Sequence, residues 1–157
     1  MTNSITITKP DDWHLHLRDG MLLKDTVNAS ANEFKRALVM PNLIPPLTTV
    51  EQIKAYRQRI LDVRPDFKPY FSLYLTENTS IETLKQASQT DFILGAKLYP
   101  AGATTNSEFG IKSIKSLAPL FKCMQELDLV LQIHGETTTG DIFEREAQFI
   151  EQSLKPL

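Results

Sequence analysis

Five short β-rich runs alternate with longer helical patterns along this chain, and that alternation restricts the fold more than any other feature of the 157 residues. The runs are Trp13 to Leu17, Ala37 to Met40, Tyr70 to Leu75, Phe92 to Tyr99 and Leu129 to His134. Between them, Thr49 to Val63 carries Ile53, Tyr56, Ile60 and Val63 at steps of three and four, behind a Thr48 or Thr49 cap and before Pro65. Ser80 caps Ile81 to Ala87. Ser113 to Leu127 repeats the pattern through Ile114, Leu117, Leu120, Phe121 and Met124, and Pro119 sets its first turns apart as a separate element. A last helical pattern opens at Asp141 and continues through Phe143, Ala147, Ile150 and Leu154. Strand, helix, strand in this order pairs strands in parallel through right-handed crossovers, and strands apolar on both faces suit a sheet covered by helices.

Two α/β architectures satisfy the pattern, an open doubly wound sheet and a TIM (β/α)₈ barrel. No Gly-x-Gly-x-x-Gly follows any of the runs, which weakens the dinucleotide-binding form of the open sheet. The polar candidates instead collect at strand C-terminal ends: His14 and His16, Asn42 after Val39-Met40-Pro41, Lys97 inside Gly95-Ala96-Lys97-Leu98-Tyr99-Pro100, and His134 before Gly135-Glu136. Barrel enzymes keep their chemistry at that end.

The chain holds three histidines, and two of them form His14-Leu15-His16. Alternation along a strand turns both imidazoles to one face, where they could grip one metal ion; two surface histidines on an edge strand would look the same. Lys97 interrupts an apolar run, where burial favours its neutral amine. Such an amine can add carbon dioxide and become an oxygen ligand, whereas a lysine snorkelling to solvent needs no chemistry at all. His134 is open to the same two readings, ligand or hydrogen-bonded resident of a barrel mouth.

A net charge of -2 with scattered lysines and arginines gives no basic surface for nucleic acid or an anionic membrane. The single cysteine, Cys123, excludes an intrachain disulfide and reads as a buried thiol in a reducing compartment. Met1 to Ile7 lack a basic run followed by an apolar core, and no stretch reaches the roughly 20 apolar residues of a membrane span, so a cytoplasmic location is expected.

Ordered segments now add up: Asp11 to Asp19, Val39-Met40-Pro41-Asn42-Leu43 with Pro45-Pro46, Tyr56 to Leu61, Ala96-Lys97-Leu98-Tyr99-Pro100-Ala101, Thr104-Thr105-Asn106-Ser107, and His134-Gly135-Glu136. Together they resemble the N-terminal half of the dihydroorotases of the bacterial single-function type, in the amidohydrolase superfamily. The resemblance implies a two-zinc site in which His14 and His16 bind the more buried ion, Lys97, carboxylated on its amine, bridges both ions, and His134 binds the second. It implies reversible hydrolysis of the cyclic amide of dihydroorotate to N-carbamoyl-L-aspartate, a step of pyrimidine biosynthesis, in a homodimer. Arg18, two residues beyond His16 and so on the same face if the strand persists, resembles the family's arginine that grips the substrate carboxylate, Asn42 would assist it, and Thr104 and Thr105 would donate from a loop that folds over the substrate. Asp12 and Asp19 read as shaping the strand and turn. Other cyclic amidases, of the hydantoinase or allantoinase type, share the His-x-His and the strand-end lysine.

A (β/α)₈ barrel takes about 250 residues, so residues 1–157 are expected to form its N-terminal portion, about five βα units. The family's further metal-binding histidine and its general-base aspartate are not in this chain. Activity is therefore expected only with the C-terminal half of the barrel, and an open arc of strands would expose apolar surface and invite aggregation. A non-catalytic half-barrel that serves as a binding module is the reading from a different class.

Overall fold

Each helical period in the sequence meets the next strand in a computed structural model that describes residues 4–157; Met1, Thr2 and Asn3, part of the segment read for a targeting signal, lie outside the described residues. The strands are β1 (Asp11–Leu15), β2 (Arg36–Val39), β3 (Lys68–Tyr74), β4 (Ile93–Leu98) and β5 (Val130–Ile133). They form one parallel sheet in the order β1-β2-β3-β4-β5. Right-handed crossovers between strands in sequential order all fall on one face, so this sheet curls as a barrel wall; a doubly wound sheet needs a reversal of strand order. The protein is half of a (β/α)₈ barrel, and the open-sheet alternative is excluded.

The helices are α1 (Leu23–Glu33), α2 (Val50–Val63), α3 (Ile81–Ser88), α4 (Ala118–Glu126) and α5 (Arg145–Phe149). In α2 the Thr49 hydroxyl accepts from the Gln52 amide and the Gln52 side chain returns the bond to the Thr49 amide, a capping box that contributes about 1 kcal/mol. Ile53, Tyr56 and Ile60 on its inner face are fully buried, each contributing about 1.5–3 kcal/mol by burial. They join Val27, Val39, Phe71, Leu84 and Ala96 in a core between the helices and the convex face of the sheet. No described helix is long and apolar enough to cross a membrane.

Several boundaries differ from the sequence expectation. β1 starts at Asp11 and stops at Leu15, because Asp11 pairs with Arg36 in both backbone register and an ion pair, and the register slips between Asp12 and Leu15. His16 thus lies just past the strand. The pattern opening at Asp141 becomes helical only at Arg145: Asp141 accepts from the Phe143 amide at 3.0 Å, a local turn that competes with a helix, and Ile142 and Phe143 stay exposed. Beyond α5, residues Ile150–Leu154 form a π turn. Helix α1 has a weak signal, since its buried face is just Leu23, Val27 and Ala31. Pro119 does divide the Ser113–Leu127 pattern, with a 3₁₀ turn at Ile114–Leu117 ahead of α4.

The concave face of the arc is open. Trp13, Leu38, Leu94, Val130 and Gln132 line one groove there, and Trp13 and Val130 are 48% and 57% exposed. At the N-terminal end of the strands Trp13 stacks on Tyr70 with the Arg36 guanidinium over its ring. Across the same sheet, β4 and β5 approach so closely at Gly95 that a Cβ there would stand 2.0 Å from the carbonyl oxygen of Val130.

Candidate functional site

The strand ends at the top of the concave face carry the candidate residues. The register slip in β1 leaves His14 and His16 side by side, with ring centroids 5.2 Å apart. Asp12 accepts from the His14 amide at 2.9 Å and so shapes the bulge. Both imidazoles are held below the usual histidine value of 6.5. For His14 the causes are burial and then Lys97; for His16 they are burial, then His14 and Arg18. Neutral imidazole is the metal-binding form. In metal-free protein the two rings are therefore expected to titrate below pH 6.5 by NMR of the imidazole protons, and a midpoint at or above 6.5 would contradict this environment. Because the unfolded chain takes up these protons first, stability is undiminished above about pH 6.5 and declines as pH falls from there through the lowered native values.

Lys97, near the end of β4, is 4% exposed, with burial driving its pKa down. Among the described residues no carboxylate pairs with it; its ammonium position lies 5.5 Å from the centre of the Tyr99 ring. Snorkelling to solvent is thereby excluded. Tyr99 stacks on Tyr74 at 5.1 Å and tilts against His134 at 6.1 Å, so aromatic rings wall the lysine on its β3 and β5 sides. Burial raises both phenols, Tyr74 to about 12, and they remain protonated at neutral pH. His134 Nε2 is buried without a hydrogen-bond partner; Glu136 comes within 3.2 Å of it but is not aligned to accept.

Arg18 reaches the site by a different route from the one expected. The strand does not persist to it: Arg18 adopts a left-handed backbone with φ of 62°, a conformation that costs a non-glycine residue about 1 kcal/mol or more. Three contacts hold the turn in place. The Tyr56 hydroxyl of α2 donates to the Arg18 carbonyl, the Thr26 hydroxyl of α1 donates to the Leu17 carbonyl, and Asp19 pairs with Arg59 at 2.6 Å. The Arg18 side chain itself makes no hydrogen bond or ion pair among the described residues, and its charge helps lower the pKa of His16 and partly offsets the rise at Tyr99. A free guanidinium thus stands beside the imidazoles. Asn42 is 2% exposed, and its amide donates to the carbonyl of Thr105 at 2.9 Å, which draws the Thr104-Thr105 loop to the end of β2.

Two neutral imidazoles side by side, a buried amine with no counter-ion and a buried imidazole nitrogen with no partner are the environment of metal ligands. Among the described residues, however, no three His, Cys, Asp or Glu side chains converge on one point. The residues fit a metal centre in part, as one wall of it.

The sequence pattern of the amidohydrolase family matches residues 7–156. The chain belongs to the amidohydrolase family. This amidohydrolase chain is 52% identical to a dihydroorotase of Ralstonia pickettii (strain 12J), over all of its own length and 47% of that relative. A crystal structure of dihydroorotase from Campylobacter jejuni superposes with a TM-score of 0.85 at 41% identity, covering 94% of this chain and 44% of that one. A Saccharomyces cerevisiae dihydroorotase crystallised with 5-fluoroorotic acid superposes with a TM-score of 0.86 at 32% identity, covering 94% and 43%. The chain spans about half the length of the curated relatives it matches.

Within this amidohydrolase half-barrel, His14, His16, Arg18, Asn42, Lys97, Thr104, Thr105 and His134 all lie at the C-terminal ends of the strands or in the loops that follow them. His134 stands apart from the first two histidines, with Lys97 and Tyr99 between. Sequence reasoning missed Tyr56 and Tyr99; the cue for Tyr99 was its place two residues after Lys97, just past the end of β4.

Proposed function

We propose that this chain supplies the N-terminal wall of a zinc-dependent dihydroorotase site, which hydrolyses the cyclic amide of dihydroorotate to N-carbamoyl-L-aspartate and catalyses the reverse closure. The observation that carries the reading is Lys97, buried at 4% without a counter-ion beside two neutral imidazoles, because an amine so placed is either a costly defect or a group awaiting carboxylation. His14, His16, carboxylated Lys97 and His134 would hold two zinc ions, which when bound supply an activated water and polarise the scissile carbonyl. Arg18 grips the substrate carboxylate with a bidentate fork, Asn42 offers its second amide hydrogen to the same group, and Thr104 and Thr105 cover it. In the forward direction the ring C–N bond breaks, the oxygen of water joins the carbonyl carbon, and the released nitrogen takes a proton. The base that handles this proton is an aspartate outside this chain.

The exposed apolar groove around Trp13 and Val130, together with the length of the relatives, supports a barrel completed by further polypeptide, and we infer that the complete barrel works as a homodimer in the cytoplasm. The test uses the full-length polypeptide. Dihydroorotate opening, two zinc ions per barrel and loss of turnover on chelation are expected. Arg18→Ala is expected to raise KM about a hundredfold, the worth of a charge-assisted bidentate pair. Turnover of hydantoin or allantoin in preference to dihydroorotate, or activity indifferent to Arg18→Ala, would reject the assignment.

A further inference from the structure

Resting on this reading of the substrate site, we propose that Asn106 is a positioning residue that fastens the Thr104-Thr105 loop over the site through a reciprocal clasp with Asn42. Asn42 Nδ2 donates to the carbonyl of Thr105 at 2.9 Å, and Asn106 Nδ2 donates back to the carbonyl of Asn42 at 3.0 Å. Asn106 thus holds the backbone of Asn42, 64 residues away, while Asn42 holds the peptide that joins Thr105 to Asn106. The Tyr74 hydroxyl adds a third tie, donating to the Asn106 carbonyl at 3.3 Å. Asn106 reaches this geometry with a left-handed backbone, φ 55°, which asparagine tolerates better than most residues.

The loop is a preformed unit apart from the clasp. Ser107 is fully buried; its hydroxyl donates to the Thr104 carbonyl at 2.6 Å and accepts from the Thr104 amide at 3.0 Å. Its carbonyl accepts from the amides of Gly102 at 3.1 Å and Gly110 at 2.9 Å. Ser107 therefore organises the loop internally, while Asn106 and Asn42 tie that unit to the end of β2 and Tyr74 ties it to the end of β3. Losing the Asn106 side chain should release the unit without dissolving it. The Asn42 amide has two hydrogens, and the clasp employs one. Its orientation toward a ligand and the height of the two threonines are consequently set together, so the clasp acts on substrate affinity.

The variants are Asn106→Gly, which accepts the left-handed backbone and removes only the side chain, and Asn106→Asp, which keeps the size but removes the donor. In the metal-loaded full-length polypeptide without substrate, amide hydrogen exchange over residues 102–107 is expected to accelerate about tenfold in both, the worth of about one net hydrogen bond. KM for dihydroorotate is expected to rise about tenfold with kcat within about threefold. Exchange within about twofold of the unsubstituted protein, or a fall in kcat at unchanged KM, overturns the clasp. If the unsubstituted polypeptide fails to turn over dihydroorotate, the functional reading falls, and the exchange rates alone decide the clasp.

Discussion

Replacing Lys97 by alanine in the full-length polypeptide is expected to lower dihydroorotate turnover by about a thousandfold or more, equivalent to about 4 kcal/mol of lost transition-state stabilisation. Bound zinc is expected to fall below two ions per barrel. The opposite effect is expected on the metal-free fold. A lysine that is 4% exposed with no anion beside it bears a desolvation cost, so the alanine variant should unfold at the same or a higher denaturant concentration than the unsubstituted protein. That pairing of lost activity with undiminished stability separates a ligand from a structural lysine. Lys97→Arg sharpens the contrast, since a guanidinium stays charged and cannot be carboxylated, and it should be as inactive as the alanine variant. Activity within about tenfold of the parent in either variant would remove Lys97 from the metal centre.

Gly95→Ala is expected to destabilise the protein by about 3 kcal/mol or more, measured by urea unfolding of the full-length polypeptide. The added methyl would stand 2.0 Å from Val130 O and 2.8 Å from its carbonyl carbon, both backbone atoms that no side-chain rotation can move aside. Relief requires β4 and β5 to separate at the point where Gly95 pairs with Val130, two residues before Lys97 pairs with Gln132. Metal affinity should therefore weaken together with stability. Gly102→Ala provides the comparison: its Cβ meets nothing within 4 Å, and the cost is confined to a φ of 78°, about 1 kcal/mol. Equal effects at the two glycines would show that steric approach of β5 is not what requires Gly95.

Much of the architecture is legible from local pattern because its cause is local. The Thr49 and Ser80 caps, the three- and four-residue spacing of Ile53, Tyr56 and Ile60, and the break at Pro119 all act within a turn or two of chain, and the structure places each where the pattern puts it. The exceptions are informative. Asp141 opens a turn rather than a helix because its carboxylate captures the Phe143 amide, and β1 ends early because its register is set by Arg36 on another strand. The candidate site residues were picked out by chemical type and resemblance, yet the route by which Arg18 arrives was misjudged. Strand alternation would have carried it to the site; a left-handed turn held by Tyr56, 38 residues away, does so instead.

The sequence by itself determined the kinds of element, their parallel pairing, the family and the residues proposed to carry its chemistry, because hydrophobic period, caps and side-chain reactivity are properties of short stretches. Only the tertiary structure decided that the strands run in sequential order around one open concave face, that Lys97 is buried there with no anion to pair with, and that Asn42 and Asn106 clasp each other across 64 residues. These depend on which surfaces exclude water from which others, and close packing between distant segments leaves no periodic trace along the chain.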